Sequence, residues 1–149
     1  MQILEQQALY LYDLLSCRIQ MPRARLPEML PRIPEQLGTL GLQQNGRILF
    51  TEDPAQERNI EILIPVRGEF ASCAQYEKKP VFKLINAVSA RHEGSFSALA
   101  KTEQQLLQYA QEKAYQVITE VYYSIVRMNA GNPENCIIDL YIGVNYNIL

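Results

Sequence analysis

The stretch ITEVYYSIV, residues 118 to 126, places a carboxylate, Glu120, two positions before a phenol, Tyr122, in a run otherwise suited to a strand. Side chains alternate along a strand, so Glu120 and Tyr122 share one face while Val121, Tyr123 and Ile125 share the other, more apolar one. A carboxylate in such a run either caps a solvated strand end or lines a pocket, because charged groups are rarely buried unpaired. A second pair of the same kind, Asp139 and Tyr141, stands in CIIDLYIGV, residues 136 to 144. Tyr12 and Phe50, on strands expected in the first half, complete the candidate ligand-binding set of Glu120, Tyr122, Tyr141, Tyr12 and Phe50. Each of these aromatics could equally serve the core or a sheet edge.

Stronger chemical signatures do not occur. There is no phosphate-cradling glycine loop, no CxxC pair and no HExxH, so no catalytic residue, metal site or cofactor is expected. The single histidine, His92, has no nucleophile beside it and reads as a surface residue ahead of a helix rather than as a catalytic base. Cys17, Cys73 and Cys136 are odd in number and widely spaced, which fits reduced, structural thiols and neither a disulfide framework nor a zinc site.

The elements that must position these residues follow from periodicity. LYLYDLLSCRIQM, residues 9 to 21, predicts a first strand closed by Pro22. Apolar residues at helical spacing predict a helix near 34 to 42, with Pro27, Pro31 and Pro34 forcing an irregular start. GRILFTED (46 to 53) and NIEILIPV (59 to 66) read as a hairpin around Pro54-Ala55-Gln56-Glu57. Another strand at 81 to 90 leads to a helix near 95 to 114 capped by Ser95. Two strands, 118 to 126 and 136 to 144, end the chain across the loop from Asn129 to Pro133. Both halves thus run strand, helix, strand, strand, and NIEILIPV matches IIDLYIGV with Glu61 opposite Asp139. An internal duplication explains this, with pseudo-repeats at about 8–68 and 80–145 in a single domain spanning 1–149. Two such βαββ units make an α+β fold: an antiparallel sheet with two helices on one side and a concave ligand groove on the other.

The chain has 149 residues, 48% hydrophobic and 20% charged, with a net charge of −2. That is one folded domain. The scattered basic residues give no footprint for nucleic acid. The start lacks a cationic region and cleavage site, and no apolar run nears the roughly 18 residues of a membrane span, so a cytoplasmic protein without membrane contact is expected.

A strand followed by His92-x-Gly94-x-Phe96-x-x-Leu99 opening a helix, then Glu120-x-Tyr122 and an apolar strand from Ile137 to Val144, resembles the GyrI-like small-molecule-binding superfamily. That family includes effector-binding domains of AraC-type and MerR-type regulators and stand-alone chains. The resemblance implies duplicated βαββ units of the SHS2 kind and a groove between the halves for bulky hydrophobic, often cationic, compounds, in which Glu120 meets the ligand's positive charge and tyrosines stack on it. A delocalised cation suits such a place, since it can pair with the carboxylate and lie on ring faces. The expected role is a non-enzymatic ligand sensor or sequestering protein with a link to transcription regulation. Two alternatives stay open: a protein-interaction role as in the gyrase-inhibitor branch, and a hydrolase in which Glu120 orients water. A protein partner or a homodimer also stays open.

Overall fold

The computed structural model describes residues 2–53, 59–129 and 131–145. Its first strand, β1 (Ile3–Gln20), begins at Ile3 rather than Leu9. It is kinked at Gln6 and Asp13, where φ is 56°. Such left-handed backbone is best tolerated by residues with short or polar side chains, and it resets which face the following residues meet.

Proline then decides the helical layer. A 3-10 turn (Arg23–Arg25), α1 (Leu26–Met29), a second 3-10 turn (Leu30–Arg32) and α2 (Ile33–Thr39) follow in sequence. Pro27, Pro31 and Pro34 each stand in the first turn of one of these pieces, the one place where a missing N–H and a fixed φ are harmless. Next come β2 (Gln43–Gln44), β3 (Leu49–Glu52) and β4 (Asn59–Arg67), and the expected hairpin of β3 with β4 forms. The expected turn at Pro54-Ala55-Gln56-Glu57 lies outside the described residues.

β5 (Glu77–Gly94) is longer at both ends than the expected 81 to 90. After a 3-10 turn (Phe96–Ala98), α3 (Leu99–Glu112) buries Leu99, Leu106 and Ala110. β6 (Gln116–Val117), β7 (Tyr122–Asn129) and β8 (Asn132–Asn145) complete the chain. β7 and β8 pair as far as Asn129 and Asn132, so the loop expected from Asn129 to Pro133 is mostly strand.

All pairings are antiparallel, in the order β1-β5-β8-β7-β3-β4-β2 with β6 on β8. β1 also pairs with β4, so six strands make a circuit whose seam, β3 with β7, is held at Leu49–Ser124 and Phe50–Tyr123. The sheet therefore closes on itself. One face carries the helices over Ile60, Ile62, Ile64, Ile138, Leu140 and Ile142. The opposite, inner face is filled by Leu14, Leu49 and Leu63 with the small Ser16, Ser89 and Ser124, all nearly inaccessible. The helices and the antiparallel sheet make an α+β fold.

His92 departs from expectation. It is 5% exposed, with Nε2 2.8 Å from the Ser95 carbonyl and Nδ1 2.7 Å from Thr102 Oγ1. A carbonyl can only accept, so Nε2–H donates to Ser95 and Nδ1 accepts from the Thr102 hydroxyl in the neutral ring. The histidine therefore ties the end of β5 to α3 across Gly94, whose φ of 130° few other residues adopt. Both ring nitrogens are occupied, so His92 is neither a surface residue nor free to act as a base. Replacing it with Leu should leave the buried Thr102 hydroxyl without its ring partner, while the Ser95 carbonyl keeps only the Ala98 N–H, and lower unfolding stability by about 1–3 kcal/mol in urea titration.

Candidate functional site

Glu120 lies in a bulge rather than on a strand. Val117 pairs with Val144 and Tyr122 with Tyr141, so five steps on one side face three on the other and two extra residues must leave the ladder. Hydrogen bonds hold the bulged segment in place. Ile118 N–H donates to Gly143 O (2.9 Å), Gly143 N–H to Thr119 Oγ1 (2.8 Å), the Thr119 hydroxyl to Glu120 O (2.8 Å) and the Thr51 hydroxyl to Val121 O (2.8 Å). The approach is close enough that a Cβ on Gly143 would stand 2.7 Å from Thr119 Cγ2. Glu120 is consequently exposed and projects from a fixed backbone.

That projection borders two cavities. The larger, about 530 Å³, is lined by Glu52, Asp53, Glu103 and Glu120 with Ile118, Thr119, Val121 and Tyr123. Every carboxylate or ammonium-type side chain in that lining is an acid. A smaller one of about 150 Å³ shares Glu52, Asp53 and Glu120 and reaches Glu61 and Tyr122 on the inner face.

Beside the larger cavity the protein already holds a cation on an aromatic ring. The Tyr123 ring stacks on Phe50 with centroids 4.6 Å apart. The Arg23 guanidinium lies over the Tyr123 ring, 4.7 Å from its centroid. Arg23 also pairs with Glu52 (3.3 Å) and Glu103 (3.5 Å), and the Tyr123 hydroxyl donates to Glu103 at 2.6 Å. The fit is imperfect, since the buried Arg23 Nε and Nη2 and Glu52 Oε1 lack hydrogen-bond partners among the described residues. Burial, assisted by Glu103 and opposed by Arg23, pushes the Tyr123 phenol well above its usual range.

On the inner face, Tyr122 meets Phe82 edge-on at 4.9 Å and pairs across the ladder with Tyr141. Its hydroxyl lies 3.5 Å from Glu120 Oε2. Burial first, then the nearby Glu120 and Glu61 charges, push the Tyr122 phenol up to about 12. The two carboxylates matched in sequence both have basic partners. Glu61 accepts from the Ser16 hydroxyl (2.8 Å) and Lys79 (2.9 Å), and Asp139 from Arg91 (2.8 and 3.0 Å) and Arg47 (3.0 Å).

The candidate residues are therefore only partly gathered. Glu120, Tyr122 and Tyr141 are neighbours. Phe50 is not, because its strand turns it to the helix face, where it is wholly buried under Tyr123. Tyr12 pairs with Val81, one step out of phase with Leu11–Phe82, and alternation sends its ring away from Phe82, leaving it 59% exposed. Sequence reasoning missed Phe82, Arg23 and Glu103. Alternation in VFKL, which sets Phe82 and Leu84 on one face, was the available signal for the first. Nothing local marks Arg23 or Glu103.

The three cysteines are free thiols. No helix of the described residues is long and apolar enough to cross a membrane, and those residues hold no cluster of metal-ligating side chains.

The sheet circuit with the helices on one of its faces defines the fold class, and that fold is shared with solved structures of other proteins. Among solved structures, the EcmrR chain in an EcmrR–DNA complex matches 95% of this chain with a TM-score of 0.75 at 15% identity, and this chain spans 58% of that one. The EcmrR C-terminal domain alone matches 95% of this chain and 98% of its own length, with a TM-score of 0.68 and 15% identity. A hydrolase from Listeria innocua matches 95% of this chain and 93% of its own, with a TM-score of 0.58 and 10% identity. No family model matches the sequence, and no curated protein does.

Glu61 generates a pH prediction. Burial would raise its pKa, but hydrogen bonds from Lys79 and Ser16 and the charges of Lys79 and Arg18 outweigh it, so the carboxyl sits below its ordinary value. A depressed folded pKa means stabilisation that is complete above the unfolded value and lost as pH falls through the folded one. Glu61→Gln should therefore lose less stability than wild type between about pH 7 and about pH 3, read as the shift in urea midpoint.

Proposed function

We propose that this chain binds bulky, largely apolar cations beside Glu120 and acts as a ligand sensor or sequestering protein. One observation carries the reading. The cavity beside Glu120 has only acids among its titratable aliphatic side chains, and they stand beside Ile118, Val121 and Tyr123. An apolar cation gains from both sets of groups, whereas an anion would meet four carboxylates with one guanidinium, Arg23, shared between two of them. Arg23 supports the same chemistry, because a planar cation already rests on Tyr123 between Glu52 and Glu103.

Tyr122, Tyr141 and Phe82 extend the surface available to a ligand around the Glu120 bulge, and they would make up the groove between the halves. Recurring pairings support the duplication behind that groove. Arg18 faces Glu61 across β1 and β4 as Arg91 faces Asp139 across β5 and β8, and each is preceded two residues earlier by a serine. These pairs fall within the proposed repeats of about 8–68 and 80–145. The three free thiols fit a reducing compartment such as the cytoplasm. The same fold in EcmrR, which is seen on DNA, supports a link to transcription that would run through a partner or a separate DNA-binding segment. A hydrolytic role has weaker support. The groups around Glu120 are further carboxylates and a phenol raised to about 12, a poor proton donor at neutral pH.

Calorimetric titration with a naphthyl trimethylammonium ion and its neutral tert-butyl isostere tests the proposal. Wild type should prefer the cation. Glu120→Gln should weaken the cation by about 0.2–1 kcal/mol, the scale of an exposed ion pair, and leave the isostere unchanged. Arg23→Ala frees the Tyr123 face and its two carboxylates, and should tighten the cation by roughly five- to tenfold without helping the isostere. Equal affinity of wild type for the two compounds would remove the reading.

A further inference from the structure

A third cavity, about 340 Å³, lies under the broken helices of the first half, on the face of the sheet away from Tyr122. Its floor is the helix-side row of β1 and β4, where Cys17 pairs with Ile62 and Leu15 with Ile64. Met29, Ile33 and Leu37 form its roof. The segment joining the two halves supplies one wall through Gln75 and Tyr76. It is held by a turn in which Cys73 N–H donates to Tyr76 O at 2.9 Å.

The two halves explain why this space exists. In the second half a continuous helix from Leu99 to Glu112 lays Leu99, Leu106 and Ala110 on the sheet, and all three are fully covered. In the first half the prolines cut the helix, and its last piece, Ile33–Thr39, spans two turns. That roof is too short for the floor beneath it. Cys17, Ile19, Met21, Met29 and Tyr76 consequently stay only partly covered while packed against the core.

The lining selects a chemistry unlike that around Glu120. None of its side chains is charged. Burial, then the Glu61 charge across the sheet, raises the Cys17 thiol pKa, which keeps it protonated. A ligand ion would be desolvated here without a partner, at a cost of several kcal/mol, whereas an uncharged apolar body replaces water at no such cost. Two methionines allow the walls to adapt to irregular shapes. The Gln36 and Gln75 amides and the Tyr76 hydroxyl are the polar groups of the lining, and they can both donate and accept. We propose that this cavity is a second, separate ligand site, for a compact uncharged lipophile bearing one hydroxyl or carbonyl group.

The test uses N-phenyl-1-naphthylamine, a neutral dye whose emission rises in apolar surroundings, with the full chain. Wild type should show saturable enhancement at one site. Octan-1-ol should displace the dye and octanoate at equal concentration should not. Cys17→Phe, which fills the floor, should weaken the dye at least tenfold with an unchanged circular dichroism spectrum. Gln36→Trp, at an exposed position, should narrow the mouth and weaken it likewise, so the test stands even if the first variant misfolds. No saturable enhancement in wild type, equal displacement by alcohol and carboxylate, or full affinity in a folded Cys17→Phe and in Gln36→Trp would each overturn the proposal.

Discussion

The alternation of side chains along β7 is the constraint on which the rest of the molecule turns. Tyr122 and Tyr123 are adjacent and must point to opposite faces of the same sheet. Tyr123 enters the helix-side core, stacks on Phe50 and anchors Arg23 and Glu103. Tyr122 goes to the inner face with Phe82 and Tyr141. One dipeptide thus joins the helical layer, the sheet seam and the candidate site. A change at either tyrosine acts on the other through a single rigid backbone.

The bulge before β7 resolves a conflict between packing and charge. A carboxylate held in the ladder at position 120 would face either the core or the filled inner face, with a large desolvation penalty. Two extra residues move it to the surface while the hydrogen bonds around Thr119 and Gly143 keep its position defined. Preorganisation and solvation are therefore both satisfied. The exposure of Glu120 also limits what an ion pair at that position can contribute.

How much of this was legible in the sequence depended on the range of the interaction involved. Element order and the antiparallel α+β fold were readable because periodicity is local, and Pro27, Pro31 and Pro34 marked the irregular helix on their own. The departure of Glu120 from the strand was not readable, because it follows from a register set by β8, more than twenty residues on. Phe50 misled because LFTE, a four-residue strand after Ile48, has no apolar alternation to show which face is buried. The burial of His92 was hidden for a related reason: its partner Thr102 lies on the next helix, and only the packed turn brings them together. Arg23 was hidden most deeply. It sits in a basic pair, PRAR, that looks like a solvated turn, and the carboxylates that engage it come from β3 and α3.

The kinked first strand also bears on how the chain reaches this state. β1 pairs with nothing near it in sequence: Leu14 opposes Pro65, Ser16 opposes Glu77 and Ile3 opposes Ala90. As the chain is synthesised, this strand therefore waits with unpaired N–H and C=O groups until β4 and β5 follow. Such non-local pairing slows folding, and a waiting edge invites pairing with another copy. The left-handed residues Gln6 and Asp13 interrupt that edge at two points. A nascent neighbour cannot match a ladder broken in this way, whereas β5, which carries its own register shifts opposite the first kink, can. The irregularities of β1 thus deny a second copy the regular ladder that edge-to-edge pairing needs, while β5 is matched to them.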